Sequence, residues 1–352
     1  MKKLTAVLMA IVILISSFSV NAFALGSKKN QLSDEWKAMV LKNYEEFIAE
    51  VDGDPNKIPM IVSTDQHGAI TANSEIYKYI DEITDWSKIS KIINLGDTVE
   101  NTFNPFELAA YRIATKCLPK DKRIEVIGNH DRFYLPFGTL VDMIFFPTPH
   151  AERAISRNAF SVKDEEFNVR YLAVDPKNFP YKYTDGSIST VQANFIIKEL
   201  SKEDDSDIIF LAHPYLFRDA VIRRNGSVFT GSDYFIGGPD KYTDVKQSFV
   251  DMLAARKNKT AGVFVDCRGV EYPYDFTNCK GDLLMTLHGH HHTEGYETKD
   301  GITEFMFQSF TKDNAQNTEP NCFYFAYIDR ETNKFKCWKN FVGYDAWEID
   351  IA

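Results

Sequence analysis

Short apolar runs that stop abruptly at polar, metal-capable residues recur along this chain. Ile61-Val62-Ser63-Thr64 runs into Asp65-Gln66-His67, and Ile92-Ile93-Asn94-Leu95 runs into Gly96-Asp97. Arg123-Ile124-Glu125-Val126-Ile127 runs into Gly128-Asn129-His130-Asp131. Runs rich in β-branched residues and closed by turn-forming residues predict buried strands. Asp65, Asp97 and Asn129 fall 32 residues apart in each case, about the length of one strand–helix–strand unit. The stretches between them, Asn73–Trp86 and Pro105–Leu118, carry helical patterning. Right-handed crossovers put both helices on one face of a parallel sheet. Two later runs repeat the design. Ile208–Ala212 ends in His213-Pro214, and Leu283–Leu287 ends in His288-Gly289-His290-His291-His292. Five strands therefore deliver polar residues to a carboxyl edge, where open α/β sheets keep their ligands.

The remaining pattern predicts the frame around those strands. From Ser33, a good helix cap, the residues Trp36, Met39, Val40, Tyr44, Phe47, Ile48 and Val51 make one apolar stripe, ended by Asp52-Gly53-Asp54-Pro55. This N-terminal helix is expected to brace the first sheet. Helices are further expected over Gly138–Phe146, Val191–Lys202 and Asp244–Lys257. Strands are expected over Ala159–Val162, Val169–Val174 and Gly262–Val265. The alternating runs Ile302–Phe310, Phe323–Ile328 and Lys334–Trp338 predict a second, largely antiparallel sheet. Residues 214–242 lack periodicity and read as an insertion loop. With Arg218, Arg223, Arg224 and several aromatic rings, it has the materials of a mobile cover, or of a surface excursion that only packs.

Composition narrows the class. The chain opens with Met1-Lys2-Lys3, an apolar run from Leu4 to Val20, and small residues at Ala22 and Ala24. This predicts a bacterial-type secretory signal peptide over residues 1–24 and a secreted or periplasmic protein. An uncleaved anchor is the alternative, although the run is short for a bilayer span of ~20 residues. Residues 25–352 are expected to form a single domain without a membrane span. The formal charge of −10 becomes −12 when Lys2 and Lys3 leave with the leader, which counts against a general nucleic-acid binder. An apolar share of 44% excludes a disordered chain. Of the 5 cysteines at least one must be unpaired. Cys267 with Cys279, and Cys322 with Cys337, are the pairs worth weighing against free buried thiols.

Carboxylate oxygen combined with imidazole suits Mn²⁺, Fe or Zn²⁺. The motif order Asp65-Gln66-His67, Gly96-Asp97, Gly128-Asn129-His130-Asp131, His213 and Gly289-His290-His291-His292 resembles that of the calcineurin-like metallophosphoesterases. The resemblance spans residues 65 to 292 of the 352. It implies an α/β (α+β) fold, a four-layer αββα sandwich of two facing mixed β-sheets flanked by helices. It also implies two divalent metal ions. One would take Asp65, His67, Asp97 and His292, the other Asp97, Asn129, His213 and His290, with Asp97 bridging. The implied reaction is hydrolysis of a phosphate mono- or diester by attack of a metal-bridging hydroxide on phosphorus. His130 would be the general acid for the leaving oxygen, with Asp97 and Asn129 as its catalytic companions.

Departures from family branches narrow the resemblance. Glu100 stands where the phosphoprotein phosphatases carry an Asp that orients the catalytic His, and Asn101 stands where they often carry a phosphate-binding Arg. The Tyr ligand of purple acid phosphatases is missing, and too few residues follow His292 for the second domain of a nucleotidase. Arg132 and Arg218 are candidate contacts to a small phosphate-ester substrate, with a solvated or salt-bridged arginine as the plainer reading of each. His150 reads as solvated, His288 as a hydrogen bonder behind the ligands, and His291 as pointing away from the metals. A nuclease-type phosphodiesterase on DNA or RNA, or a non-catalytic binding protein on the same scaffold, are the alternative functions. Nothing in the pattern fixes an oligomeric state.

Overall fold

A computed structural model describes residues 32–68, 70–100, 105–132, 148–154, 159–175, 188, 190–216, 221–229, 243–266, 268–310, 322–341 and 343–352. The expected leader, the expected helix at Gly138–Phe146, Asn101, Arg218 and most of 214–242 lie outside them. Among the described residues, no helix is long and apolar enough to cross a membrane.

In chain order the strands are β1 Lys57–Ser63, β2 Lys91–Asn94, β3 Arg123–Glu125, β4 Glu152–Arg153, β5 Ala159–Asp164 and β6 Val169–Val174. They continue as β7 Asp207–Leu211, β8 Val221–Ile222, β9 Val228–Phe229, β10 Ala261–Val265, β11 Glu271–Asp275 and β12 Leu283–His288. The last five are β13 Gly295–Lys299, β14 Ile302–Met306, β15 Tyr324–Asp329, β16 Lys334–Lys339 and β17 Trp347–Asp350. The helices are α1 Asp34–Val51, α2 Ile70–Ile83, α3 Pro105–Ala114, α4 Thr190–Leu200 and α5 Thr243–Asn258.

Two large mixed sheets form the frame. One runs β17-β16-β15-β1-β2-β3, the other β4-β5-β6-β7-β12-β14-β13-β8-β9. In the first, β1, β2 and β3 are parallel and in register at Ser63, Asn94 and Glu125. That alignment makes the three apolar runs end level and brings their polar termini to one edge. In the second, β7 and β12 are parallel, with Leu211 opposite Leu287, so His213 and the 288–292 segment leave together.

Period-two alternation sorts the strand residues into layers. Val62, Ile93 and Ile124 point inward and meet Tyr171, Leu211, Leu287 and Phe305 between the sheets. Ile61 and Ile92 point outward and meet Trp36, Val40 and Phe47 of α1, Ile76 and Ile80 of α2, and Tyr111 of α3. On the far side, Phe210 meets Ile196 of α4, Phe249 and Leu253 of α5, and Phe264. The result is helix, sheet, sheet, helix, the four-layer sandwich. Ser33 caps α1 as its sequence predicts, accepting a hydrogen bond from the Trp36 N–H at 3.1 Å.

Three expectations need correction. The runs at 323–328 and 334–338 do not join the second sheet; β15 lies antiparallel to β1 and extends the first. Of the late runs, Ile302–Met306 alone enters the second, between β12, to which it is parallel, and β13, to which it is antiparallel. The 214–242 stretch is not wholly loop, because β8 and β9 form a hairpin that adds to the sheet edge through Ile222 opposite Tyr296. The described cysteines, Cys117, Cys279, Cys322 and Cys337, are free.

Candidate metal centre

The expected ligand residues sit on the turns that follow the aligned strands. Asp65, His67, Asp97, His290 and His292 all have positive φ, between 43° and 78°. They supply half of the ten left-handed non-glycine residues described, a clustering expected where surrounding contacts hold strain at a functional site. Those contacts are visible. The Asp65 N–H donates to Gly96 O at 2.8 Å, and the His67 N–H to Asp97 O at 3.0 Å. The His290 N–H donates to Asp65 Oδ2 at 2.9 Å, and the His130 N–H to Asp97 Oδ1 at 2.7 Å. The first and last ligand turns are therefore stitched together across the two sheets.

Two metal-compatible groups result, Asp65 with His67 and His292, and Asp97 with His213 and His290; within each, the candidate atoms lie within 4.8 Å of one another. In the first, Asp65 Oδ1 lies 3.2 Å from His292 Nε2 and 3.8 Å from His67 Nε2. In the second, Asp97 Oδ2 lies 3.0 Å from His213 Nε2. The same oxygen is 3.9 Å from His67 Nε2, so one carboxylate faces a histidine of each group.

The site's own chemistry fits cations. His67 Nε2 and His292 Nε2 face each other at 3.1 Å, and His290 Nδ1 and His213 Nε2 at 3.2 Å. Two imidazole nitrogens that close must share a proton or a cation. The Asn129 Oδ1 is buried without a hydrogen-bond partner, an acceptor awaiting a positive group. Carboxylate, imidazole and amide donors together match divalent Mn, Fe or Zn.

The titration pattern agrees in sign. Burial would lower the His67 imidazole, but its bond to Asp65 and the charges of Asp97 and Asp65 raise it to about 9. Burial likewise opposes the charged form of His213, and Asp97 and Asp65 raise it. Burial would raise Asp65 and Asp97, yet the facing histidines hold both below the usual carboxylate range. Positive charge is what the pocket calls for.

Hydrogen bonds behind the ligands set their ring orientation. The His213 Nδ1 lies 2.8 Å from Leu95 O, which turns Nε2 toward Asp97. Glu100 serves two rings at once: Oε2 is 2.6 Å from His67 Nδ1, while its backbone carbonyl is 3.0 Å from His130 Nδ1. Where the phosphoprotein phosphatases place an Asp on the catalytic His, this chain places a Glu carboxylate on a ligand His and a main-chain oxygen on His130. A third group, His67 with Glu100 and His130, also has metal-compatible spacing. The 2.6 Å contact is a hydrogen bond, so that group reads as an orienting network. Asp131 gathers the N–H groups of Thr98 at 3.0 Å, Val99 at 3.2 Å and Gly128 at 2.8 Å, tying the second turn to the third. Burial pushes its carboxyl up to about 7, Asp97 adding to the effect and the Gly128 and Val99 donors opposing it.

All seven expected ligand residues thus stand on neighbouring turns, six of them in the two groups and Asn129 on the turn that donates to Asp97. His288 lies outside both groups; its Nδ1 is 2.9 Å from Pro214 O, and burial pushes it down to about 3. The His291 ring rests on Tyr215 at 4.7 Å, also outside them. Arg224 is held by Glu294 at 2.7 Å and lies over the Trp347 ring at 5.0 Å, so it is a structural ion pair and not a phosphate contact. Arg132 closes the 3-10 turn His130–Arg132, and Arg218 is outside the described residues. The sequence reading missed the gathering role of Asp131 and the Glu100 contact to His67; an acid directly after a Gly-Asn-His turn was the available signal for the first.

No protein-family model and no curated protein matches the chain. Among solved structures it is similar to an uncharacterised protein from Streptococcus pneumoniae described as a predicted phosphoesterase, at 11% identity and TM-score 0.36, covering 83% of this chain and 97% of that one. It is similar to GAP50 of Plasmodium, described as the anchor in the inner membrane complex, at 12% identity and TM-score 0.48, covering 84% and 89%. It is similar to a purple acid phosphatase from yellow lupin (Lupinus luteus) seeds, at 15% identity and TM-score 0.45, covering 84% and 54%. In motif order, in its two mixed sheets and in the convergence of its ligand turns, the chain resembles the calcineurin-like metallophosphoesterase superfamily.

Proposed function

We propose that this chain is an exported metal-dependent phosphoesterase that hydrolyses a small phosphate mono- or diester. One observation carries the reading: Asp97 belongs to one metal-compatible group, and its Oδ2 lies 3.0 Å from His213 of that group and 3.9 Å from His67 of the other. Asp65, His67, Asp97 and His292 would hold one divalent ion, and Asp97, Asn129, His213 and His290 the other. When bound, such a pair supplies Lewis acidity to the phosphoryl oxygens and acidifies water. Asp65 and Asp97 keep both positions anionic, and the left-handed turns fix where their oxygens point. His130 is partly exposed, with a side-chain exposure of 24% beside the buried ligands. Its Nδ1 lies 3.0 Å from the Glu100 carbonyl, which orients the ring, and His130 would carry a proton to the departing alkoxide. Glu100 holds both His67 and His130, so ligand and acid keep their spacing. Removal of residues 1–24 on export is part of the proposal.

The test is turnover of chromogenic phosphate mono- and diesters by chelator-stripped protein reloaded separately with Mn²⁺, Fe²⁺ and Zn²⁺. Metal-dependent hydrolysis of at least one ester class supports the reading. Absence of turnover at saturating levels of every metal contradicts it. Intact mass of the exported protein checks the leader.

A further inference from the structure

The position of Asp97 is set by a residue that no ligand motif contains. Asn94 is the last residue of β2 and only 4% exposed, in a strand whose neighbours Ile92 and Ile93 are apolar core. A buried amide at such a place is costly unless its hydrogen bonds are met. Here they are met by the two residues that flank Asp97. Asn94 Oδ1 accepts from the Gly96 N–H at 3.3 Å, and Nδ2 donates to Thr98 Oγ1 at 2.7 Å. The amide therefore spans the turn from one side of Asp97 to the other, while Asp97 itself sits at φ 50°.

The amide cannot turn over. Nδ2 lies 3.2 Å from both Glu125 Oε2 and Tyr111 Oη, and Tyr111 Oη donates to the same Glu125 oxygen at 2.5 Å. The other Glu125 oxygen is fixed by Arg123 Nε at 3.1 Å and by a second contact to Nη2. A flipped Asn94 would set its carbonyl against the Glu125 carboxylate and its NH₂ against the Gly96 N–H, both repulsive. Glu125 stands directly across from Asn94 in the β2–β3 register, so the sheet itself supplies the alignment. Fully connected buried networks of this kind rigidify what they hold.

We propose that Asn94, locked by Glu125 and Tyr111, is the positioning residue that brackets the Asp97 turn and thereby sets the affinity of both ion positions. The proposal rests on the metal-centre reading above. It is tested by calorimetric titration of Mn²⁺ into the chelator-stripped full chain, with thermal unfolding of the same stripped samples. Wild type, Asn94→Leu, Thr98→Val and Thr98→Ser are compared. Asn94→Leu and Thr98→Val should weaken Mn²⁺ binding by about 10–100-fold, the usual effect of removing a hydrogen-bonding partner behind a ligand. Thr98→Ser keeps the hydroxyl and should stay within a few-fold of wild type. Thr98→Val leaves a buried Asn94 donor without that acceptor and should melt below Thr98→Ser, so affinities are compared at a temperature where both stripped chains are fully folded. If Asn94→Leu does not fold, the Thr98 pair decides alone. Wild-type affinity in Thr98→Val, or equal weakening in Thr98→Val and Thr98→Ser, overturns the bracket while leaving the metal centre standing. A wild-type chain that takes up no Mn²⁺ overturns the metal-centre reading, and the bracket with it.

Discussion

Gly128→Ala adds one methyl group where the third ligand turn passes the second. Its Cβ would stand 2.1 Å from Asp97 Oδ1 and 2.2 Å from Asp97 N, against an ordinary contact of 3.4 Å or more. The shortfall exceeds an ångström, and one partner is backbone, so no rotamer change relieves it. Gly128 is not among the positive-φ glycines, so the effect is steric and owes nothing to backbone preference. Overpacking at a rigid site costs about 3 kcal/mol, the upper part of its usual range. For a chain of this size that lowers the melting temperature by roughly 4 °C. Displacing Asp97 by about 1 Å should also cost ~100-fold in turnover. Gly53→Ala is the matched control: its φ is 75° and nothing lies within 4 Å of the added Cβ. That variant should lose only about 1–2 kcal/mol from the left-handed backbone, with turnover intact. The assay is thermal unfolding of stripped protein together with ester turnover after reloading. Gly128→Ala with a melting temperature within 2 °C of wild type and near-normal turnover would refute the close approach of the two turns.

Three further perturbations address separate parts of the structure. His130→Ala should slow esters with poor leaving groups by about 10²–10⁴-fold and activated aryl esters much less; equal loss on both, with metal content unchanged, would assign His130 to positioning instead. In the metal-free chain His67 is raised to about 9, so its proton must leave when an ion binds. Ion uptake should therefore release protons and weaken as pH falls below 9. The stability that this protonated pair gives the stripped chain is fully present below 6.5 and lost as pH rises through 9. Titration in buffers of different ionisation enthalpy reads the proton release, and none between pH 7 and 8 would contradict the assignment. Glu294 lies between the Arg224 guanidinium at 2.7 Å and the Lys339 ammonium at 3.7 Å, all of it largely buried. Glu294→Gln leaves buried cations uncompensated and should destabilise by about 3–5 kcal/mol, and an unchanged melting temperature would show that the cluster contributes nothing.

The ligand turns were legible because an apolar run ended by glycine and polar residues carries both the strand and its direction. Gly289, like Gly128, was visible as a motif residue, but its reason is not local. A Cβ there would stand 1.9 Å from Thr64 Oγ1, in the turn just after β1 of the other sheet. Alternation at 323–328 and 334–338 marked strands correctly, but assigned them to the wrong sheet. The choice of sheet depends on β1 having a free edge. The β8–β9 hairpin escaped notice because two-residue strands leave no period, although Asn225-Gly226 was an available turn signal. Asn94, Glu125, Tyr111 and Asp131 make contacts only after three strands and a helix have assembled. From the sequence alone, Asn94 and Glu125 were merely polar interruptions in two apolar runs.

Asp97→Asn bears on the shared carboxylate itself. Elemental analysis of purified wild-type and Asp97→Asn protein, each reloaded and desalted identically, should give about two ions per wild-type chain. The variant should fall to one or none, with ester turnover lost alongside, because its amide cannot face both histidine groups as an anion. Two tightly held ions and near-normal turnover in Asp97→Asn would contradict the shared-carboxylate centre.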